Sequence, residues 1–237
     1  MIKKGIVISL MIVLSSFILA DKEYSLKELI GKGTPTFYGD GYQLQKEAHE
    51  SFLKMQEAAL SDGINIEVVS SYRSYEHQTS IWTRKYNRFI ADSLSPMNAI
   101  KKIIEYSTIP GTSRHHWGTD IDIIDANVER PESVLQTFHF ENNGIFVNLK
   151  KWMDTNANKF GFYLVYTNDN DRKGFKYEPW HYSYKAISKE MLTQYQKIDI
   201  QELLKKDKLV GSDFFTDEFI SNYINNNILD INPELKN

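Results

Sequence analysis

The sequence predicts an α+β domain, a small antiparallel sheet flanked by helices, and three observations carry that prediction. Apolar residues recur at helical spacing in some segments and alternate at strand spacing in others. The two kinds of segment are mixed in an order that fits a small antiparallel sheet packed with helices. The 237 residues, 41% hydrophobic and 25% charged, are enough for one good-sized core and exclude wholesale disorder.

The elements follow in order. Residues 21–43 hold five glycines and prolines close together and read as a short helix and then a loop. Leu44, Ala48, Phe52, Met55 and Ala59 share one face of a helix over 44–60, which Asp62-Gly63 ends. Ile64, Ile66 and Val68 alternate and lead a strand to about Tyr72. Ser74 is placed as the N-cap of a helix through about Ala91, and a further helix covers 97–106. Strands are expected at 119–124, 162–167 and 177–184, with a helix over 148–160 ended by Gly161 and a polar hairpin turn at 168–174. After Ile187 the pattern is helical again, at 191–196, 200–206 and 217–225, giving a C-terminal appendage or cap. The expected organisation is therefore an N-terminal segment 21–42, a core 43–186 and a helical extension 187–237.

Residues 1–20 differ from the rest. Lys3 and Lys4 precede an apolar run from Ile6 to Leu19, and Ala20 stands before the polar Asp21-Lys22-Glu23. That is the layout of a secretory signal peptide, and its apolar run is shorter than the roughly twenty residues that span a bilayer. The expectation is an exported protein, periplasmic or secreted, with no stable membrane span after cleavage. Removing residues 1–20 takes away Lys3 and Lys4 and no acid, which moves the formal charge from −3 to −5. No basic face for nucleic acid is expected from that balance. The chain has no cysteine, so neither disulfides nor thiolate metal ligands are available.

Of the six histidines, His49 and His139 read as surface or packing residues. His115 differs in its company: Ser113-Arg114-His115-His116-Trp117-Gly118-Thr119-Asp120-Ile121-Asp122 packs two histidines and two carboxylates into a loop and the start of a strand. Histidine and aspartate both bind zinc, and a catalytic zinc needs three protein ligands with one position open. Glu178-Pro179-Trp180-His181 offers a further carboxylate and imidazole. On an extended strand these two would face opposite sides, so the backbone must bend for both to reach one ion. Pro179 holds Glu178 extended, which is compatible with such a bend. No HExxH helix is present, since Leu53 stands where the second histidine would be. Spacing alone leaves two readings open: a metal site, or polar residues satisfied on a half-buried sheet.

The pattern Ser113-x-His115-x-x-Gly118-x-x-x-Asp122, followed by Glu178-x-x-His181, resembles the VanY-type D-alanyl-D-alanine carboxypeptidases and the related VanX-type dipeptidases. The upstream Ser71-Tyr72-Arg73-Ser74-Tyr75-x-x-Gln78 is similar too, so the resemblance covers about 43–184 and leaves 185–237 outside it. It implies zinc as cofactor, with His115, Asp122 and His181 as ligands and Glu178 as catalytic base. It further implies Arg73 facing the substrate, Ser113 and Gln78 lining the pocket, and peptidoglycan peptides ending in D-alanine as partners. Asp120 departs from the family's small residue at that position; on a strand it shares a face with Asp122, where it either holds a ligand from behind or narrows the pocket.

The activity that follows from the resemblance is a zinc D,D-carboxypeptidase. An L,D-carboxypeptidase, a dipeptidase or an endopeptidase would use the same metal chemistry. A non-catalytic cell-wall binding module would keep the fold but has no need of Glu178.

Overall fold

The computed structural model describes residues 22–236, so the signal-peptide segment lies outside the described residues. Helix α1 (Leu26–Leu29) is closed at its start by a reciprocal pair between Ser25 and Glu28. Helix α2 (Lys46–Ser61) buries Ala48, Phe52, Met55 and Ala59, the face that helical spacing selects, and Gly63 follows it at a φ of 82°. Full burial of side chains such as Phe52 and Met55 contributes about 1.5–3 kcal/mol each. Strand β1 (Ile66–Ser70) follows, then helix α3 (Tyr75–Ala91), whose N-cap Ser74 accepts from the His77 amide. Helix α4 (Pro96–Ile103) begins on a proline, the helix position that tolerates one best.

Strand β2 (Asp120–Asp125) lies at the centre of the sheet beside β1. Helix α5 (Val147–Asn156) passes through a 3-10 turn to Gly161 and strand β3 (Phe162–Leu164). Strand β4 (His181–Tyr184) pairs with both β2 and β3, giving the antiparallel order β1-β2-β4-β3. Three helices close the chain: α6 (Lys185–Tyr195), α7 (Ile200–Lys206) and α8 (Asp217–Tyr223), the last continuing into a π turn.

Besides β1, which stops at Ser70 short of Tyr72, two strands are shorter than their sequence patterns predict. The strand expected over 162–167 stops at Leu164, and the one expected over 177–184 begins only at His181. The reason for the second is a turn in which the His181 amide donates to the Glu178 carbonyl at 3.1 Å. That turn is the bend required for Glu178 and His181 to share a face.

The helical extension packs back on the domain. Leu204, Ile220, Tyr223 and Leu235 are buried in the same apolar cluster as Phe52, Trp82 and Ile121. Polar anchors reinforce it: the Trp82 indole donates to the Val210 carbonyl, and the Tyr75 hydroxyl donates to Asp207. Among the described residues no helix is long and apolar enough to cross a membrane.

Candidate metal centre and active site

Register brings the predicted ligands together. Asp122 stands opposite His181 across the β2–β4 pair, and Asp120 opposite Ser183, so all four project on one face of the sheet. His115 comes from the 3-10 turn Arg114–Trp117, capped by Ser113 and ended by Gly118. Gly118 has a φ of 63°, and a Cβ there would meet Phe37 at 2.4 Å, so the sharp passage from turn to β2 requires glycine. A bulge in β1 between Val68 and Ser70 sets Ser70 opposite Asp122.

His115, Asp122 and His181 are buried, and one ligand atom from each lies within 4.8 Å of the others. His115 Nδ1 donates to the Ser71 carbonyl at 2.7 Å, which leaves Nε2 to face Asp122 Oδ2 at 3.4 Å. A tetrahedral ion with bonds near 2.1 Å sets its ligands roughly 3.4 Å apart, so this edge already has the right length. His181 Nε2 lies 2.9 Å from Asp120 Oδ2, which leaves Nδ1 toward Asp122 at 4.0 Å and Glu178 Oε2 at 3.0 Å. Asp122 Oδ1 is buried with no hydrogen-bond partner. An orphaned carboxylate oxygen flanked by two imidazole nitrogens is a set that a divalent cation completes.

Asp120 is built in on every side. It accepts from Arg114 Nε at 3.0 Å, Ser183 Oγ at 2.6 Å and Thr119 Oγ1 at 2.8 Å. Burial alone would raise its pKa, but Arg114 and the bond to His181 hold the carboxyl well below the usual range. The result is a carboxylate–histidine pair behind the metal position, which fixes the ring and raises its basicity. Of the two roles open to Asp120 in the sequence, the structure gives it the first. Burial would lower the pKa of His181, but its bonds to Asp120 and Glu178 prevail and push it up to about 10.

His116, next in sequence, is no ligand. Its Nδ1 donates to the Arg73 carbonyl at 2.6 Å and its Nε2 accepts from the Gly111 amide at 3.1 Å. Desolvation lowers its pKa to about 3, so it is a neutral brace between two loops.

Glu178 lines the same cavity, and burial raises its carboxyl above the ordinary value against the pull of His181. Arg73 lies with Nη2 at 4.0 Å from Asp122 Oδ2, its guanidinium fixed by donation to Gln78 Oε1 and Ser70 Oγ, each at 2.8 Å. Ser113 lines the cavity as the resemblance implies. Gln78 is placed differently: it is fully buried behind Arg73 and donates to the Thr108 carbonyl, so it reaches substrate only through the arginine. Of the three aromatics near the motifs, Trp180 walls the cavity, Trp117 donates to the Leu29 carbonyl in the core, and Tyr72 stacks on Phe37. Tyr166, which the motifs did not single out, sets its ring edge-on to His181 with centroids 5.2 Å apart. The cavity measures about 540 Å³ and has the cluster in its wall. A larger hollow of about 1100 Å³ around Tyr163, Lys185 and Glu190 contains none of these ligands.

The family model for the VanY D-alanyl-D-alanine carboxypeptidases matches residues 41–187, well over half of the chain. The chain belongs to that family. The candidate ligands His115, Asp122 and His181 all fall within the matched span. The YodJ protein of Bacillus subtilis is 29% identical over 83% of this chain and 63% of its own length. A D-alanyl-D-alanine carboxypeptidase of Enterococcus faecalis is 29% identical over 64% of this chain and 52% of its own length. The chain thus spans between half and two thirds of these relatives. Among solved structures, VanYB in complex with D-alanine-D-alanine superposes with a TM-score of 0.53 at 25% identity, covering 73% of this chain and 88% of that one.

Proposed function

We propose that this protein is a zinc-dependent D,D-carboxypeptidase that removes the terminal D-alanine from peptidoglycan stem peptides or their precursors. The observation that carries the proposal is the convergence of Glu178 on the His115–Asp122–His181 cluster, in a cavity that Arg73 also faces. The likeness to VanYB, whose structure holds D-alanine-D-alanine, supports the substrate class. A substrate in the cell wall requires action outside the cytoplasmic membrane, so export directed by residues 1–20 is part of the proposal.

Zinc held by His115 Nε2, Asp122 and His181 Nδ1 would supply Lewis acidity, lowering the pKa of a coordinated water to about 7 and polarising the scissile carbonyl. Glu178 takes a proton from the attacking water as its oxygen bonds the carbonyl carbon. It returns that proton to the leaving amine as the C–N bond breaks. A carboxyl raised by burial suits both halves of that exchange. Arg73, already oriented by Gln78 and Ser70, offers its remaining donors to the substrate's terminal carboxylate or to the oxygen on which charge develops.

Digestion of muropeptides by the purified zinc-loaded protein, read by mass spectrometry, tests the reading. Loss of one alanine from pentapeptide stems is expected. Loss from tetrapeptides only, loss of a dipeptide, or opening of crosslinks would each replace it with the corresponding rival. No product at all would favour a binding module.

A further inference from the structure

Helix α3 shows two stripes with different tasks. Gln78 and Trp82, one turn apart, are fully buried. The neighbouring stripe is Ile81, Arg84, Lys85, Arg88 and Phe89, and all five line the cavity of the metal cluster. The spacing i, i+3, i+4, i+7, i+8 is the one at which an amphipathic helix turns apolar residues toward its protein partner. Here three of the five are cations. None of the three has a carboxylate within ion-pair distance among the described residues. Across the cavity the cations have a carboxylate in contact instead, since Lys102 and Lys176 both close on Glu105 at 2.9 and 2.8 Å. Lys85 is partly buried, and burial pulls its ammonium below the ordinary value, with Glu178 only partly restoring it. A partly desolvated cation with no carboxylate in ion-pair contact is costly, and nothing in the chain's net charge of −3 calls for a positive surface here.

We propose that Lys85 and Arg88, with Arg84 at the mouth, form a subsite for a carboxylate carried by the substrate upstream of the scissile bond. The inference rests on the peptidase reading above and adds a second recognition point to it. The helix fixes the spacing. Gln78 marks the level of Arg73, and at 1.5 Å per residue Lys85 lies about 10 Å and Arg88 about 15 Å further along the axis. An extended peptide covers that distance in roughly three to four residues. The subsite therefore reads an acidic residue of the stem, upstream of the part of the substrate that Arg73 faces. Ile81 and Phe89 interleave the cations and give the methyl and methylene groups of the peptide's side chains an apolar floor.

Two acetylated pentapeptides ending in D-Ala-D-Ala test this, one with glutamate and one with glutamine as second residue. Their binding is first measured by fluorescence anisotropy on zinc-loaded Glu178→Gln protein, which needs no turnover. The acid should bind about fivefold more tightly than the amide in low salt, the scale of one partly exposed ion pair, and the difference should shrink as salt is added. In Lys85→Gln/Arg88→Gln on the same background the preference should fall to about one. The charge-conserving Lys85→Arg/Arg88→Lys protein should keep it, which separates loss of charge from loss of fold. Equal binding of acid and amide, or a preference that survives neutralisation, overturns the subsite. The kcat/KM of the enzyme with Glu178 intact on both peptides then reads the parent reading separately: release of no alanine from a bound peptide overturns the carboxypeptidase assignment, not the subsite.

Discussion

The polar side chains at the centre are held from behind by fixed partners and turn their remaining groups toward the cavity, and three substitutions test that division. Asp120 holds His181 by Nε2, so only Nδ1 can turn toward a metal. Asp120→Asn keeps the shape but removes the charge, and should weaken zinc binding about 10- to 100-fold in a chelator competition. Unchanged affinity would remove Asp120 from ligand orientation. Glu178→Gln should retain zinc yet turn over about 10²- to 10⁴-fold more slowly, the usual worth of a positioned base. Loss of the metal in that variant would make Glu178 a ligand instead. Arg73→Lys keeps a charge but not the planar fork that Gln78 and Ser70 orient. If Arg73 binds the terminal carboxylate, the lysine variant should lose about 10- to 150-fold on a free-acid peptide, and the unmodified enzyme should barely cleave the C-terminal amide. If it serves the oxyanion, both peptides should slow alike.

At the scale of elements, the site depends on segments distant in sequence. The loop between α4 and the His115 turn is held from the C-terminal extension: the Tyr223 hydroxyl accepts from the Ile109 amide at 3.0 Å and bonds Thr112 Oγ1 at 2.8 Å. Tyr195 donates to the Gly111 carbonyl at 2.8 Å. Tyr223→Phe leaves a buried amide and hydroxyl short of a partner, which should cost about 1–3 kcal/mol. In a chain of this length that lowers Tm by several degrees, about 2–4 °C per kcal/mol in calorimetry. An unshifted Tm would show that the extension does not brace this loop. The elements themselves were legible where periodicity was long: α2 and α3 match their predicted ends within two residues, and Ser74 caps α3 as expected. The extents of β3 and β4 were not, and for β4 the reason is that alternation over 177–184 cannot register a turn made by one hydrogen bond from His181 to Glu178.

For the molecule as a whole, the metal should act as part of the fold. Zinc at a hundredfold excess over its Kd should stabilise by about 2.7 kcal/mol, read as a rise in Tm that a chelator reverses. Binding should weaken as pH falls, by up to about tenfold per unit, because the proton held at His181 must leave as the ion enters. Affinity independent of pH between 6 and 8 would exclude His181 as the ligand that changes protonation. The residue types and their order along the chain determined the fold class and the family, and the family motifs pointed to His115, Asp122 and His181 as candidate ligands, since motif chemistry and hydrophobic period are properties of the residues themselves. Sequence could not say that Gln78 stands behind Arg73 and not beside the substrate, or that Asp120 supports His181. Nor could it show that three cations on α3 turn toward the same cavity. Those assignments depend on register across β2 and β4, on one turn before β4 and on the packing of the last helices. The Asp120–His181 and Ile109–Tyr223 bonds span 61 and 114 positions, and only the closed tertiary structure sets such distances.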